Sequence, residues 1–454
     1  MLCVAGCSSP TRATPLGPTF DATLAPDAAT DHLPDARPSF DAIVDAAAVD
    51  APRTMDAHAS LDAARDAHAS LDGARDAGDG SEPSARDASD ASDASTSVCP
   101  SGTGTLALLG GNTTSAVAAV STNGSPFKVS PLAGASMLAA PAMLAFGGGF
   151  LGVFPRTGSD ALDWTSYGAS SGWSAPAPIV AAPARDAMAA VAATTTATVS
   201  LAVLGPSASF ASLVYYGSTS TFLRDLYSAG GWGPGTDAVD GTASQDFGPS
   251  PATSAAVGST LYVAYDGANN GLYVDSVTSG GSWTGASGIT GAGVGEVPPS
   301  LVALTSSASG ADVLLVYEQQ TTNFLYSVAH TAAGWSMPLQ VSTTALATTQ
   351  VALAPLAGGG VVMVYEGTNG LPYSAVYSAT ASPAWTAPVE VIPGSSPVGS
   401  PPSVAAGTCG FDAVAALVQP AGVAVVTLSG GTWSSPTMLP ALGELTYATI
   451  ATIQ

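Results

Sequence analysis

Positive charge is what this chain most lacks. It has 10 Lys and Arg in 454 residues, against 33 Asp and Glu, for a net charge of -23. Nucleic-acid binding needs clusters of Lys and Arg facing phosphates, so that class is excluded. Charge-driven adhesion to anionic lipid is excluded for the same reason. Charged residues of either sign make up only 9% of the chain, about a third of the usual share. Histidine and cysteine are equally scarce, at four each, which leaves little material for a metal centre or a nucleophile, and no cofactor motif is present. Glycine (51) and proline (34) are abundant.

Aromatic residues are unevenly placed. The first hundred residues hold only Phe20 and Phe40; the remainder hold the other 29. The acidic excess is shared, with 17 acidic and 6 basic residues in the first hundred and 16 and 4 thereafter. A segment without aromatic and branched side chains cannot bury enough surface to fold, so a core is expected only after about residue 99.

The chain opens Met1-Leu2-Cys3-Val4-Ala5-Gly6-Cys7. Val4-Ala5-Gly6-Cys7 resembles a bacterial lipobox, in which small residues give a peptidase access to the bond before a lipid-bearing cysteine. That resemblance implies lipidation at Cys7, a membrane partner through the lipid, and residence in the cell envelope at the outer membrane or cell surface. The basic and apolar regions of a signal peptide are missing from the front, so residues 1–7 are expected to be a remnant of a longer signal whose start lies upstream. A chance match at the start of a cytoplasmic protein is the alternative.

Residues 8–98 are low in complexity. Thirteen of the sixteen Asp residues in the first hundred are followed by Ala, and Asp56–Arg65 recurs almost unchanged as Asp66–Arg75. Closely spaced like charges repel and extend a chain. As a flexible coil, a linker of about 90 residues spans roughly 50 Å. A disordered tether between an anchor and a folded head is expected. The EF-hand and nonapeptide calcium spacings are absent.

Residues 99–454 carry a repeat. Trp173, Trp232, Trp283, Trp335, Trp385 and Trp433 are spaced by 59, 51, 52, 50 and 48 residues. Four open a Trp-(Ser/Thr)-x-Pro motif, as in Trp335-Ser336-Met337-Pro338. Tyr215, Tyr265, Tyr317 and Tyr365 precede these tryptophans by 17 to 20 residues, and Tyr273, Tyr326 and Tyr373 fall between. Each unit reads as four short strands, for example Leu301–Leu304, Asp312–Tyr317, Phe324–Ala329 and Trp335–Val341. Four strands every fifty residues predict a propeller blade, hence an all-β fold. Thr105–Pro131 reads as a unit lacking its first strand, with Phe127 in the Trp position. Leu445–Ile453 is a spare strand that can complete it and close a ring of seven blades. A six-bladed ring with Thr105–Pro131 as a flap is the rival. Met137–Phe154 has no charge over eighteen residues, yet its Pro141 and Gly147-Gly148-Gly149 fit two strands and a turn better than a membrane span. Cys99 and Cys409 lie near the two ends of that ring, so a disulfide joining them is one expectation and two free thiols the other.

The Tyr-(Asp/Glu), Leu-Tyr-Ser and Gly-x-Trp-(Ser/Thr)-x-Pro pattern resembles the blades of sialidase-like and fucose-lectin-like propellers. The resemblance is at superfamily level and fixes no activity. Turns such as Ser429-Gly430-Gly431-Thr432 look like the sialidase Asp-box but lack its Asp. A sialidase needs a triad of arginines, and the folded part has only Arg156, Arg185 and Arg224, none in a matching context. Glycoside hydrolysis also needs two facing carboxylates, for which Asp266, Glu318 and Glu366 are the candidates. The single histidine of the folded part, His330, is expected to be structural.

In propellers of the resembled type, ligands bind at the face where second strands end. That places a candidate ring at Phe154, Tyr215, Tyr216, Tyr265, Asp266, Tyr317, Glu318, Tyr365 and Glu366, with Tyr273, Tyr326 and Tyr373 lining clefts. Arg224 is expected to take the equivalent slot in unit three and Asp163 in unit two. Aromatic faces stack on sugar C–H groups and carboxylates accept bonds from sugar hydroxyls. Packing between blades is the competing role for the same rings. The expectation is a non-catalytic binding head for a glycan or a surface protein, with a glycoside hydrolase or a scaffold as alternatives.

Overall fold

The chain was analysed as a computed structural model, which describes residues 104–453 apart from 159–160, 180–198, 205–209, 217–221, 229–230, 234–236, 239–251, 268, 280, 305–309, 396–399, 409, 440–441 and 443. Cys7, Cys99, Cys409, Arg185 and the Asp-Ala tract therefore lie outside the described residues. No helix among the described residues is long and apolar enough to cross a membrane.

Short runs of Val, Leu, Ala and Tyr, punctuated by Gly, Asn and Ser, form antiparallel strands throughout. The strands gather into seven sheets. Each sheet begins with an inner strand, and neighbouring inner strands pack in a closed circuit. The circuit runs from Tyr447–Ile453 to Ala142–Phe146, Ser200–Leu204, Thr253–Val257, Ser300–Ala303, Ala352–Pro355, Ser403–Ala406 and back. The protein is a seven-bladed β-propeller, and the six-bladed rival falls. We number the blades from 1, which contains Thr105–Gly111, to 7, which starts at Ser403.

Blade 1 is built from both ends of the folded part. Its inner strand, Tyr447–Ile453, pairs in continuous register with Thr105–Gly111, from Thr105 opposite Ile453 to Gly111 opposite Tyr447. This clasp covers a ladder edge that an open ring would expose. Gly110 permits the close approach, since a Cβ there would meet the Leu445 side chain at 2.6 Å and the Tyr447 carbonyl at 2.8 Å. The charge-free stretch 137–154 is Ala142–Phe146 and Gly149–Pro155. They are joined at Gly147 (φ 60°) and Gly148 (φ 75°), in the left-handed region where a side chain is strained.

The Trp-(Ser/Thr)-x-Pro motif has a local cause. Proline cannot donate to a ladder, so it fits at a break in the outer strand, a break that blade 4 also makes after Trp283 without one. In blade 5 the break separates Gly334–Trp335 from Leu339–Gln340, both paired to Leu325–Thr331. The residue after Trp bridges the gap. The Ser336 N–H donates to the Ala329 carbonyl at 2.8 Å, and its Oγ accepts the Ala329 N–H at 3.0 Å. Ser174, Thr284, Thr386 and Ser434 do the same to Ser166, Ser276, Val376 and Thr427.

Clusters of apolar residues fill the spaces between adjacent sheets. The tryptophans belong to this packing. Trp385 of blade 6 is 2% exposed, and its Nε1 donates across the interface to Ser327 Oγ of blade 5 at 2.9 Å. Trp433 of blade 7 donates in the same way to Ser374 Oγ of blade 6 at 2.7 Å. Nearer the axis, hydroxyls staple the inner strands. Ser200 and Ser254 share a bond at 2.8 Å, Ser300 Oγ donates to the Val351 carbonyl at 2.7 Å, and Ser403 and Thr449 meet at 3.2 Å.

Candidate functional site

One face of the ring holds both the starts of the inner strands and the ends of the second strands, because Ser300 pairs with Val316 and Ala352 with Val364. The residues singled out by the repeat lie at this face. They divide into two groups by distance from the axis.

The second-strand tyrosines are core. Tyr215, Tyr265, Tyr317 and Tyr365 are at most 2% exposed and pack toward the preceding blade. Burial pushes the hydroxyls of Tyr317 and Tyr365 well above the ordinary tyrosine range. The Tyr215 hydroxyl points at Asp225 Oδ2, 3.4 Å away. These rings offer no face to a ligand, so the expected ring of exposed second-strand tyrosines does not form.

The acidic residues that follow them turn to the opposite side of their strands. Asp266 is 3% exposed and Glu318 is 6% exposed. Glu318 Oε2 accepts the Val297 N–H at 2.9 Å, and its backbone carbonyl accepts that of Gly295. It thereby caps the connection from blade 4 to blade 5. Glu366 is half-buried beside Thr348 and Thr349 in the next connection. Burial raises its pKa, and the two threonine hydroxyls pull the other way. For Glu318 and Glu366 the acid at this position has a structural reason: each carboxylate meets polar groups of a chain crossing between blades.

The third-strand tyrosines are the ones that reach the surface. Tyr273, Tyr326 and Tyr373 are half-buried and stand opposite Tyr265, Tyr317 and Tyr365 on the same side of their sheets. Tyr273 stacks on Tyr265 at 5.9 Å and 15°, and Tyr373 on Tyr365 at 5.8 Å and 28°. Tyr326 lies 6.2 Å from Tyr317. Asn269 Nδ2 donates to the Tyr273 hydroxyl at 3.0 Å, and Asn369 Nδ2 to that of Tyr373 at 2.9 Å. On the outer strand, Gln340 stands opposite Tyr326 and Glu390 opposite Tyr373. Three consecutive blades thus repeat a buried ring and a half-exposed ring. Planar polar groups flank the outer one.

Blades 2 and 3 differ. Asp163 takes the third-strand slot, opposite Phe154, as expected. It is 1% exposed and binds Arg156 through both carboxylate oxygens at 2.7 Å. Arg224 does not take that slot. Leu223 stands opposite Tyr215, and Arg224, one residue on, stands opposite Val214. Its side chain crosses to blade 4, with the guanidinium carbon 5.2 Å from the Trp283 ring centre. Arg156 and Arg224 are thus each engaged in their own contact.

His330 has partners the sequence did not reveal. Its Nδ1 lies 2.7 Å from Asp312 Oδ1, and the Tyr262 hydroxyl approaches Asp312 Oδ2 at 3.4 Å. Its ring packs between Tyr262 and Trp335. No group of three or more His, Cys, Asp and Glu arranged to hold a metal occurs among the described residues.

No family model matches the chain, and no curated protein matches it. Solved structures do. The BP39L lectin of Burkholderia pseudomallei is 18% identical over 73% of this chain and 94% of its own, with a TM-score of 0.55. The AofleA protein of Arthrobotrys oligospora is 13% identical over 70% and 90%, with a TM-score of 0.46. The Aleuria aurantia lectin, described as a six-bladed β-propeller with a novel fucose recognition mode, is 14% identical over 67% and 97%, with a TM-score of 0.45. The likeness to the bacterial lectin is one of fold: this chain shares its propeller architecture.

Proposed function

We propose that the propeller is a glycan-binding head without catalysis, held at the cell envelope by a lipid on Cys7 and the Asp-Ala tether. One observation carries the glycan reading. Tyr273, Tyr326 and Tyr373 recur half-exposed at one register of three consecutive blades, with Asn269, Gln340, Asn369 and Glu390 beside them. A half-exposed ring stacks on sugar C–H groups, and flanking amides and carboxylates exchange hydrogen bonds with sugar hydroxyls. Repetition suits weak sites, which gain through multivalency. The propeller of similar fold from Burkholderia pseudomallei is itself a lectin, which fits the same ligand class. Hydrolysis is not proposed, because Glu318 is occupied by a backbone N–H and Asp266 is buried. A surface protein is the second reading, favoured by Met337, Leu339, Val389 and Met438, which stand exposed around the outer strands of blades 5 to 7.

A glycan array with the full chain tests the reading. Wild-type protein is expected to retain a defined glycan. The double variant Tyr326→Ala, Tyr373→Ala is expected to bind it at least tenfold more weakly with its fold retained. No retention, or retention unchanged in the variant, overturns the reading. Labelling with radioactive palmitate tests the anchor; an unlabelled Cys7 rejects it.

A further inference from the structure

The axis of the propeller holds a cavity that none of the repeat tyrosines or acids lines. Its volume is about 240 Å³, and its walls are the first residues of the inner strands of all seven blades. It opens at the face where those strands begin. We propose that this channel mouth is a binding site for one neutral sugar ring, separate from the tyrosine surfaces and independent of their role.

The lining sets the chemistry. Ser200, Ser254, Ser300, Ser403 and Thr449 contribute hydroxyls and Gln350 a carboxamide. Met143, Leu201, Leu301 and Leu353 lie between them. No charged residue lines the cavity. A phosphate or carboxylate ligand would lack the cationic donors that such groups need. A divalent cation would lack carboxylates. A purely apolar ligand would strip water from a ring of hydroxyls without replacing its hydrogen bonds. A neutral polyhydroxylated ring meets both parts of the wall, with its hydroxyls on the polar residues and its C–H edges on the Leu and Met side chains.

The hydroxyls are also held in place. Ser300 Oγ spends its proton on the Val351 carbonyl. Ser200 Oγ accepts the Ser254 N–H, and Ser403 Oγ accepts the Ile450 N–H. A serine hydroxyl has one proton and two acceptor positions, so Ser300, its proton committed, can add to the wall only as an acceptor. Sugars bring many donors, which is the complement. Pro141, Pro401 and Pro402 stiffen the rim, and a pre-organised wall loses little entropy on binding. Small-molecule pockets commonly measure about 300 to 1,000 Å³, so this one suits a single ring and not an oligosaccharide.

The test uses the full chain labelled at its methionine methyls, with Met143 assigned through Met143→Leu. Free D-glucose, D-galactose, D-mannose and L-fucose are the probes. At least one is expected to shift the Met143 methyl saturably while leaving that of the exposed Met337 in place. Ala352→Phe fills the channel without removing a hydrogen-bonding side chain and is expected to weaken that binding at least tenfold. Tyr326→Ala with Tyr373→Ala is expected to leave it unchanged, which separates this site from the tyrosine surfaces. The proposal is overturned if none of the four moves Met143 at tens of millimolar, or if a sugar binds with Met143 unmoved. The Met143 readout comes from wild-type protein, so it stands even where Ala352→Phe does not fold.

Discussion

Ser327 and Ser374 occupy the same position in blades 5 and 6, and each accepts a hydrogen bond from the tryptophan of the next blade. They differ in what surrounds the donor. Trp385 is 2% exposed and its bond to Ser327 is buried, whereas Trp433 is half-buried and its bond to Ser374 is partly open to solvent. Replacing either serine with alanine removes one oxygen and little volume. For Ser327→Ala the Trp385 N–H is left in an apolar space with no acceptor, which costs about 1–3 kcal/mol. For Ser374→Ala water can reach the Trp433 N–H, and only the net value of the bond is lost, about 0.5–1.5 kcal/mol. Urea denaturation should therefore show a larger drop in midpoint for Ser327→Ala, with an unchanged slope in both variants. A double-mutant cycle with Trp385→Phe sharpens the test. Once the donor is gone, removing Ser327 should cost little, leaving a coupling of about 1 kcal/mol or more. Equal losses for the two serines, or a coupling near zero, would refute the view that buried indole donors hold the blades together.

Two further perturbations address the clasp and the acidic position. Deleting Tyr447–Ile453 strips blade 1 of its inner strand and bares the edge of Thr105–Gly111, so size-exclusion chromatography should show larger assemblies than the intact protein forms; an unchanged elution with wild-type melting would reject the clasp. Glu366 has a folded-state pKa above its unfolded value, because burial disfavours the anion. Its stabilising contribution is present in acid and is lost as pH rises through the folded value. Glu366→Gln should flatten that loss as pH rises above the ordinary glutamate range, melting at or above wild type near neutrality and converging with it in acid. A parallel shift at every pH would show that the carboxyl does not titrate in this way.

The architecture was legible because its causes are periodic. The tryptophan spacing reports one sheet per fifty residues, and the break at proline recurs in the text as Trp-(Ser/Thr)-x-Pro. The spare strand at the C-terminal end and the missing one at Thr105–Pro131 were visible as one surplus and one deficit. The boundaries of blade 5 differ from the expectation by a residue or two, except around Pro338, where the outer strand is split.

The site was legible only in part, because exposure depends on distance from the axis, which a strand pattern does not encode. Tyr317 and Tyr326 share one side of one sheet, and alternation treats them alike. The inner of the two is enclosed in the core between blades 4 and 5, and the outer lies at the edge of that core and stays half-exposed. Glu318 looked like a ligand group because acids recur in phase. Its partner is the N–H of Val297, in the connection between two blades, a contact set by how the sheets stack. Arg224 was misplaced by one residue, which in a strand means the other side of the sheet and a different neighbour, Trp283. The channel hydroxyls did leave a trace, as Pro298-Pro299-Ser300 and Pro401-Pro402-Ser403 repeat at the start of inner strands. That trace reads as a turn until seven of these starts are brought around one axis. A repeat protein makes its sites by juxtaposing equivalent positions of different units. The sequence therefore displays each contributor well and their meeting point poorly.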